Sequence, residues 1–388
     1  MEERLAGLVQ DLVRTNSVNA TLANGPGEEA VARFVAAQLQ AAGLSPEVQA
    51  AGDRQYNVVA GIRGRGEAPP LVLNAHLDTV GVEENPALLN PRREGDRVYG
   101  RGAYDMKGSV AVMVLLGEML ARRPPPGDVW LTFSADEEDR SRGTEHLVRH
   151  WLPALDPPPA GVIVLEPTEE QIGVAHKGFA WLEVEVHGRA AHGSRPDEGV
   201  DAILPLGRAL QALERLGREL EESVAHPLLG HGSLHASLIE GGTAWSVYPA
   251  WARLRWERRT LPDEDEALVA RELERVVHAA ASGPWRVEGR IVFVRLPHQV
   301  SPESPVVRAL RRARPEAQQV GMAFWTDAAL FGEAGVPAVL FGPCGHGAHA
   351  ADEWVSVSSL TRTLKTLLDV VYTTWPEIWA GAEGGKSQ

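Results

Sequence analysis

The sequence predicts an α/β protein: a mostly parallel sheet flanked by helices, interrupted by a smaller α+β domain. Two observations carry this expectation. Short apolar runs that end in polar residues recur in the first half and again near the end, with helical periodicities between them, as in a buried parallel sheet. The middle third instead alternates apolar and polar residues, as strands with one open face do. With 388 residues the chain is long for one core. The expected division is a discontinuous domain over 1–175 and 298–388, with 176–297 inserted.

In order, two amphipathic helices open the chain. Leu5, Leu8, Val9, Leu12 and Val13 share one face, and Val31, Phe34, Val35 and Leu39 another. Asn24-Gly25-Pro26-Gly27 separates them, and Gly43 reads as the second helix's C-terminal cap. Leu71-Val72-Leu73 then runs into His76-Leu77-Asp78, Val129–Phe133 into Asp136-Glu137-Glu138-Asp139, and Val162–Leu165 into Glu166. Far downstream, Val336–Phe341 leads to Gly345-His346-Gly347-Ala348-His349. A helix is expected from about Lys107 to Arg122. The inserted segment shows strand alternation at Trp181, Val184, Val186 and at Arg253–Trp256, with helices near Ala202–Val224 and Glu264–Ala281. The polar tail Gly381–Gln388 is expected to fray.

Composition narrows the function. Apolar residues at 44% and charged residues at 23% match a soluble globular protein. Acidic residues outnumber basic ones 52 to 38, for a net charge of −14, which argues against a nucleic-acid or anionic-membrane partner. A single cysteine, Cys344, excludes an internal disulfide and a thiolate zinc cluster. The N-terminus shows no signal-peptide pattern, and no apolar run approaches the ~18 residues of a membrane span, so a cytoplasmic location is expected.

Ligands in open α/β sheets gather at the carboxyl ends of strands. Four runs here each bring imidazole or carboxylate groups to that end. Each element alone is ambiguous: Asp105 behind a glycine-rich turn reads as a helix N-cap or a bridging carboxylate, and the run around Glu137-Glu138 as a solvated loop or a metal ligand beside a base. Together they supply two histidines, a bridging aspartate, two glutamate ligands and a spare glutamate. That is a two-metal hydrolytic inventory of nitrogen and oxygen donors. Such donors suit zinc, and cobalt or manganese fits the same set.

These residues occur in an order that identifies a resemblance. His76-x-Asp78, Gly-Arg-Gly-Ala-Tyr-Asp105-Met-Lys-Gly, Asp136-Glu137-Glu138 with Gly143, Glu166-Pro-Thr, Ala191-His192-Gly-Ser-x-Pro and Ala348-His349-x-x-x-Glu353 resemble the zinc-dependent family of acetylornithine deacetylase, succinyl-diaminopimelate desuccinylase, aminoacylase and carboxypeptidase G. The likeness runs from Gly25-Pro26-Gly27-Glu28-Glu29 to about Trp354. It implies a zinc-peptidase-like catalytic domain and an inserted lid that also forms a homodimer interface. It implies two divalent ions, one held by His76, Asp105 and Glu166, the other by Asp105, Glu138 and His349. It implies Glu137 as general base, Asp78 as the residue orienting His76, and a cis peptide after Asp105. His192 then reaches the partner subunit's site to bind the oxyanion, and Arg259 holds a substrate carboxylate, with Arg258 adjacent and easily confused with it. The implied reaction is amide cleavage of a small N-acyl amino acid by a hydroxide held between the ions. A dipeptidase or carboxypeptidase with the same site is the alternative, and a non-catalytic binding protein on this fold a remote one.

Two positions depart from the family pattern. Ser246, in Gly241-Gly242-Thr243-Ala244-Trp245-Ser246, stands where Asn is usual, and Glu257 where Asp is usual. The shorter serine reaches substrate only through water or a shifted loop.

Overall fold

A computed structural model describes residues 1–82 and 85–383. The tail expected to fray lies outside the described residues from 384 on. The chain folds as two compact units: Met1–Val174, Val300–Val320 and the segment from Thr326 form the first, Ala175–Gln299 with Gly321–Trp325 the second.

In the first unit a sheet runs in the order Glu47–Gly52, Gln55–Ile62, Gly127–Ser134, Ala68–His76, Gly161–Val164, Ala338–Leu340. The last four are mutually parallel and the first two form an antiparallel edge. Leu71, Val72, Leu73, Val162 and Ile163 are buried, because helices cover both faces of a parallel sheet. Helix Glu2–Arg14 buries Leu5, Leu8, Val9, Leu12 and Val13, and Gly108–Arg122 is apolar almost all round. Of the second helix's predicted face, Val31, Val35 and Leu39 are buried and Phe34 is half-buried. Gly43 takes the left-handed conformation (φ +90°), and Leu44 N–H closes on the carbonyl of Leu39 at 3.1 Å, as the cap reading requires.

A small antiparallel sheet that periodicity did not show lies in the same unit. Its strands are two or three residues long: Gly345–His346, Trp354–Ser356, Arg97–Tyr99 and Arg92–Glu94. It matters because Trp354 pairs with Tyr99, which sets the distant His349 loop beside the Gly100–Gly102 turn.

The second unit is a four-stranded antiparallel sheet in the order Ser233–Gly241, Trp251–Thr260, Gly178–His187, Arg286–Arg295. Helices Leu204–Glu222 and Glu266–Ala280 cover one face. Burial alternates without exception along Trp251–Thr260. Ala180, Leu182, Val184, Ala252, Leu254 and Trp256 pack with Leu206, Leu213, Val269 and Val276. The other face carries Phe179, Trp181, Glu183, Arg255, Glu257 and Arg259. Segment Gly321–Trp325 belongs here because Trp325 packs edge-on against Phe179 and Lys177 N–H bonds the Met322 carbonyl. Among the described residues no helix is long and apolar enough to cross a membrane.

The loop after Gly127–Ser134 returns through a tight passage. Gly143 N–H bonds Ala135 O at 3.0 Å, and Asn57 bridges Ala135 N–H and Gly143 O. A Cβ on Gly143 would lie 2.2 Å from the Ala135 nitrogen. Gly143→Ala is therefore expected to cost about 1–3 kcal/mol, read from the urea midpoint of the metal-free protein. An unchanged midpoint would show that the loop yields freely.

Candidate metal centre

The strand Ala68–His76 delivers His76, 2% exposed, at its carboxyl end. Its Nε2 lies 3.0 Å from Asp105 Oδ1. Asp105 stands in the Ala103–Lys107 turn behind Gly102 (φ +77°), and its peptide bond to Met106 is cis, as the resemblance implied. His349 arrives on the loop between the short strands Gly345–His346 and Trp354–Ser356. Its Nε2 is 3.3 Å from Asp105 Oδ2 and 3.0 Å from Glu138 Oε2. Asp105 thus offers one oxygen to each imidazole. Donor atoms of His76, Asp105 and Glu138 lie within 4.8 Å of one another, as do those of His76, Glu137 and Glu166. All six of these residues, scattered from 76 to 349, converge at one end of the sheet.

Buried polar groups hold the donors in place. Glu353 Oε2 accepts from Gly102 N–H and Arg101 Nη1, both at 2.8 Å, while Oε1 accepts from the N–H groups of Tyr104 (3.0 Å) and Asp105 (3.1 Å). Arg101 also donates to the carbonyls of His349 and Ala350 at 3.2 Å. One buried ion pair therefore ties the Asp105 turn to the His349 loop. Asp78 works differently from the sequence expectation. His76 Nδ1 is 3.1 Å from the Asp78 main-chain carbonyl but 3.6 Å from its carboxylate, too long for a hydrogen bond. The carboxylate instead accepts from the N–H groups of Glu137 and Glu138 at 3.1 Å and from Asn19 Nδ2 at 2.8 Å. The chain turns directly after the strand, which presents the carbonyl to the imidazole and leaves the side chain to the acidic loop. Asn19, Arg101 and Asp327 carried no signal as site residues. Asp327 is buried, and its carboxylate accepts from the hydroxyls of Ser134 at 2.8 Å and Thr144 at 2.6 Å.

The charges are unbalanced. Burial and neighbouring carboxylates push the carboxyls of Glu137, Glu138 and Glu166 above their ordinary range. Burial also works against an ionised Asp105, yet bonds from His349 and His76 hold it below that range. Hydrogen bonds to the carboxylates of Asp105 and Glu138 push His349 up to about 10. His76 is raised too, Asp105 and Asp78 outweighing its burial. Glu138 Oε1 is buried with no hydrogen-bond partner. Surplus carboxylate, an orphaned oxygen and two imidazoles aimed at one carboxylate fit divalent cations. The donor groups that lie together are His76 with Glu137 and Glu166, and His76 with Asp105 and Glu138. The sets the resemblance implies, His76, Asp105 and Glu166 for one ion and Asp105, Glu138 and His349 for a second, draw on the same cluster.

His192, Ser246 and Arg259 belong to the second unit, where two of them meet. His192 bridges Val247, and Gly193 N–H bonds Ser246 O at 2.7 Å. His192 is exposed, and its Nδ1 lies 2.8 Å from Ser194 Oγ and 3.2 Å from the Ser194 N–H nitrogen. Strand alternation separates the two arginines. Arg258, 1% exposed, faces the helices and binds Glu272 and Glu264, whereas Arg259 stands on the open face with Nε bonded to Glu257 at 2.6 Å.

Comparison with known proteins agrees with this geometry. The sequence profile described as "Peptidase family M20/M25/M40" matches residues 72–373. An acetylornithine deacetylase of Myxococcus xanthus is 34% identical over 345 residues, 85% of this chain and 88% of the relative. An N-acetyl-L-citrulline deacetylase of Xanthomonas campestris is 30% identical, covering 87% and 89%. Among solved structures, a tripeptidase of Staphylococcus aureus superposes with a TM-score of 0.78 at 19% identity, over 96% of this chain and 98% of that one.

Because the metal-free centre holds His349 as a cation, loading it with metal must displace protons. Calorimetric titration in buffers of different ionisation enthalpy is expected to show proton release on metal binding. The sign for stability follows from the raised value. His349 stabilises the metal-free fold fully below its ordinary pKa of 6.5, and this contribution is lost as pH rises through about 10. Unfolding midpoints of the chelated protein that held level or rose between those limits would contradict the assignment.

Proposed function

The chain belongs to peptidase family M20/M25/M40, hydrolases of amide and peptide bonds, and from that premise we propose that it removes the acyl group of a small N-acyl amino acid at a centre of two divalent ions, zinc by donor type. The observation that carries the two-ion reading is Asp105 facing His76 with one oxygen and His349 with the other. The deacylase reading draws on the Myxococcus xanthus and Xanthomonas campestris relatives, each aligned over most of its length and each named a deacetylase.

When bound, the ions supply Lewis acidity for the scissile carbonyl and lower the pKa of water at the centre. The protein's own groups do the rest. Glu137 takes a proton from the attacking water as the new carbon–oxygen bond forms, and returns it to the nitrogen as the carbon–nitrogen bond breaks. Its position is set by Asp78, which grips the Glu137 and Glu138 N–H groups, and by its place beside His76 and Glu166. His192 offers its Nε2–H to the developing oxyanion, each chain of a homodimer serving the other's centre. Arg259 takes the substrate carboxylate, and Ser246, with one hydroxyl where the family usually has an amide, reaches substrate through water.

Three measurements test this. Glu137→Gln is expected to lower kcat by about 10²–10⁴ while metal analysis still finds two ions per chain; near-normal turnover would remove Glu137 as the base. A panel of N-acetyl and N-succinyl amino acids beside dipeptides, assayed after chelation and metal return, should show metal-restored cleavage of the acylated set. Cleavage of dipeptides alone would assign the site to a peptidase. Light scattering should give twice the chain mass, and a monomer of full activity would exclude His192 exchange.

A further inference from the structure

On the open face of the second unit's sheet, three strands set aromatic and guanidinium groups side by side. The register pairs Arg259 with Phe179 and Glu257 with Trp181 on one side, and Phe293 with Trp181 and Arg295 with Phe179 on the other. Phe179 lies 5.4 Å from Trp181 and 5.9 Å from Phe293 between ring centroids, and Trp181 lies 5.5 Å from Phe293. Phe179 and Trp325, 6.1 Å apart, are buried as a floor, whereas Trp181 and Phe293 are half-exposed. The Arg259 guanidinium sits 5.4 Å above the Phe179 ring.

Glu257 fixes this arrangement. Its Oε1 accepts from Arg259 Nε at 2.6 Å and its Oε2 from Trp181 Nε1 at 3.0 Å. One carboxylate therefore locks the guanidinium against the indole, and the terminal nitrogens of Arg259 make no hydrogen bond among the described residues. The usual aspartate is one methylene shorter and would have to span the same two strands with less reach. A guanidinium held by its Nε presents its outer edge to a carboxylate, and the adjoining rings accept an aromatic group in offset or edge contact. The Arg295 guanidinium lies 4.7 Å from the Phe293 ring centre and 5.6 Å from that of Trp325, at the edge of the aromatic group.

We infer that this patch is a subsite for an amino-acid carboxylate flanked by an aromatic side chain, with Trp181 and Phe293 receiving the ring, Arg259 the carboxylate, and Glu257 acting as the positioning residue. The substrate class is then an N-acyl aromatic amino acid, a refinement that rests on the deacylase reading above.

The test compares N-acetyl-L-phenylalanine, N-acetyl-L-alanine and N-acetyl-L-ornithine on the metal-loaded wild-type chain. A preference for the phenylalanine substrate of about tenfold in kcat/KM is expected from one aromatic contact. Trp181→Ala should remove most of it through KM, lowering kcat/KM for the phenylalanine substrate several-fold more than for the alanine substrate. Glu257→Gln, which has one acceptor oxygen in place of two, should raise KM for every carboxylate substrate and shrink the phenylalanine-to-alanine ratio, because it no longer holds Trp181 and Arg259 together. Equal rates on all three wild-type substrates, or a Trp181→Ala loss shared equally by alanine, would overturn the subsite. If no N-acyl amino acid is cleaved, the deacylase reading has failed, and calorimetry of free L-phenylalanine against L-alanine on the same protein decides the subsite alone. Tighter phenylalanine binding that Trp181→Ala abolishes supports it, and equal binding refutes it.

Discussion

Asp105 is buried with one carboxylate oxygen on His76 and the other on His349, while Glu137, Glu138 and Glu166 crowd the same volume. Like charges at such separations in a water-poor site repel strongly. The two imidazoles compensate in part, which is why both are drawn toward the cationic form. Much of the surrounding first unit can be understood as the means of holding negative groups together until divalent cations neutralise them.

That task falls to groups remote in sequence. Arg101 and Glu353, 252 residues apart, join the turn carrying Asp105 to the loop carrying His349. Asn19 holds Asp78 and Asp136 from the opposite direction, at 2.8 and 3.0 Å. Glu28, fully buried, is pushed up to about 9 by burial and by Asp78, so it stays neutral and adds no further negative charge at neutral pH. The supporting shell thus mixes one buried arginine–carboxylate pair, one amide and one acid held neutral by burial.

What could be read from the sequence follows the range of the interactions. Apolar runs ending in acids and histidines show the sheet and its functional edge, because strand direction and side-chain type are local properties. Alternation along Trp251–Thr260 contains the separation of Arg258 from Arg259, since neighbours in a strand face opposite ways. The Arg101–Glu353 pair, the grip of Asn19 on Asp78 and the strands of two or three residues have no local period. Asp78 illustrates the boundary. Its nearness to His76 was legible from the two-residue spacing, but whether carbonyl or carboxylate would face the ring depends on the turn that follows.

The departures from the family pattern bear on substrate choice. Both departures from the family pattern, Ser246 and Glu257, lie in the second unit, and none of the six clustered metal-centre residues departs. Under the proposed function the centre would act on the amide whatever side chain follows it, so discrimination has to come from groups that meet the rest of the substrate. Glu257 is placed to do this without touching substrate at all. By spending both oxygens on Arg259 and Trp181 it makes the orientation of the cation and that of the indole a single property, so that a ligand satisfying one must suit the other. A shorter acid in its place would uncouple them, leaving a carboxylate binder with little opinion about the side chain beside it.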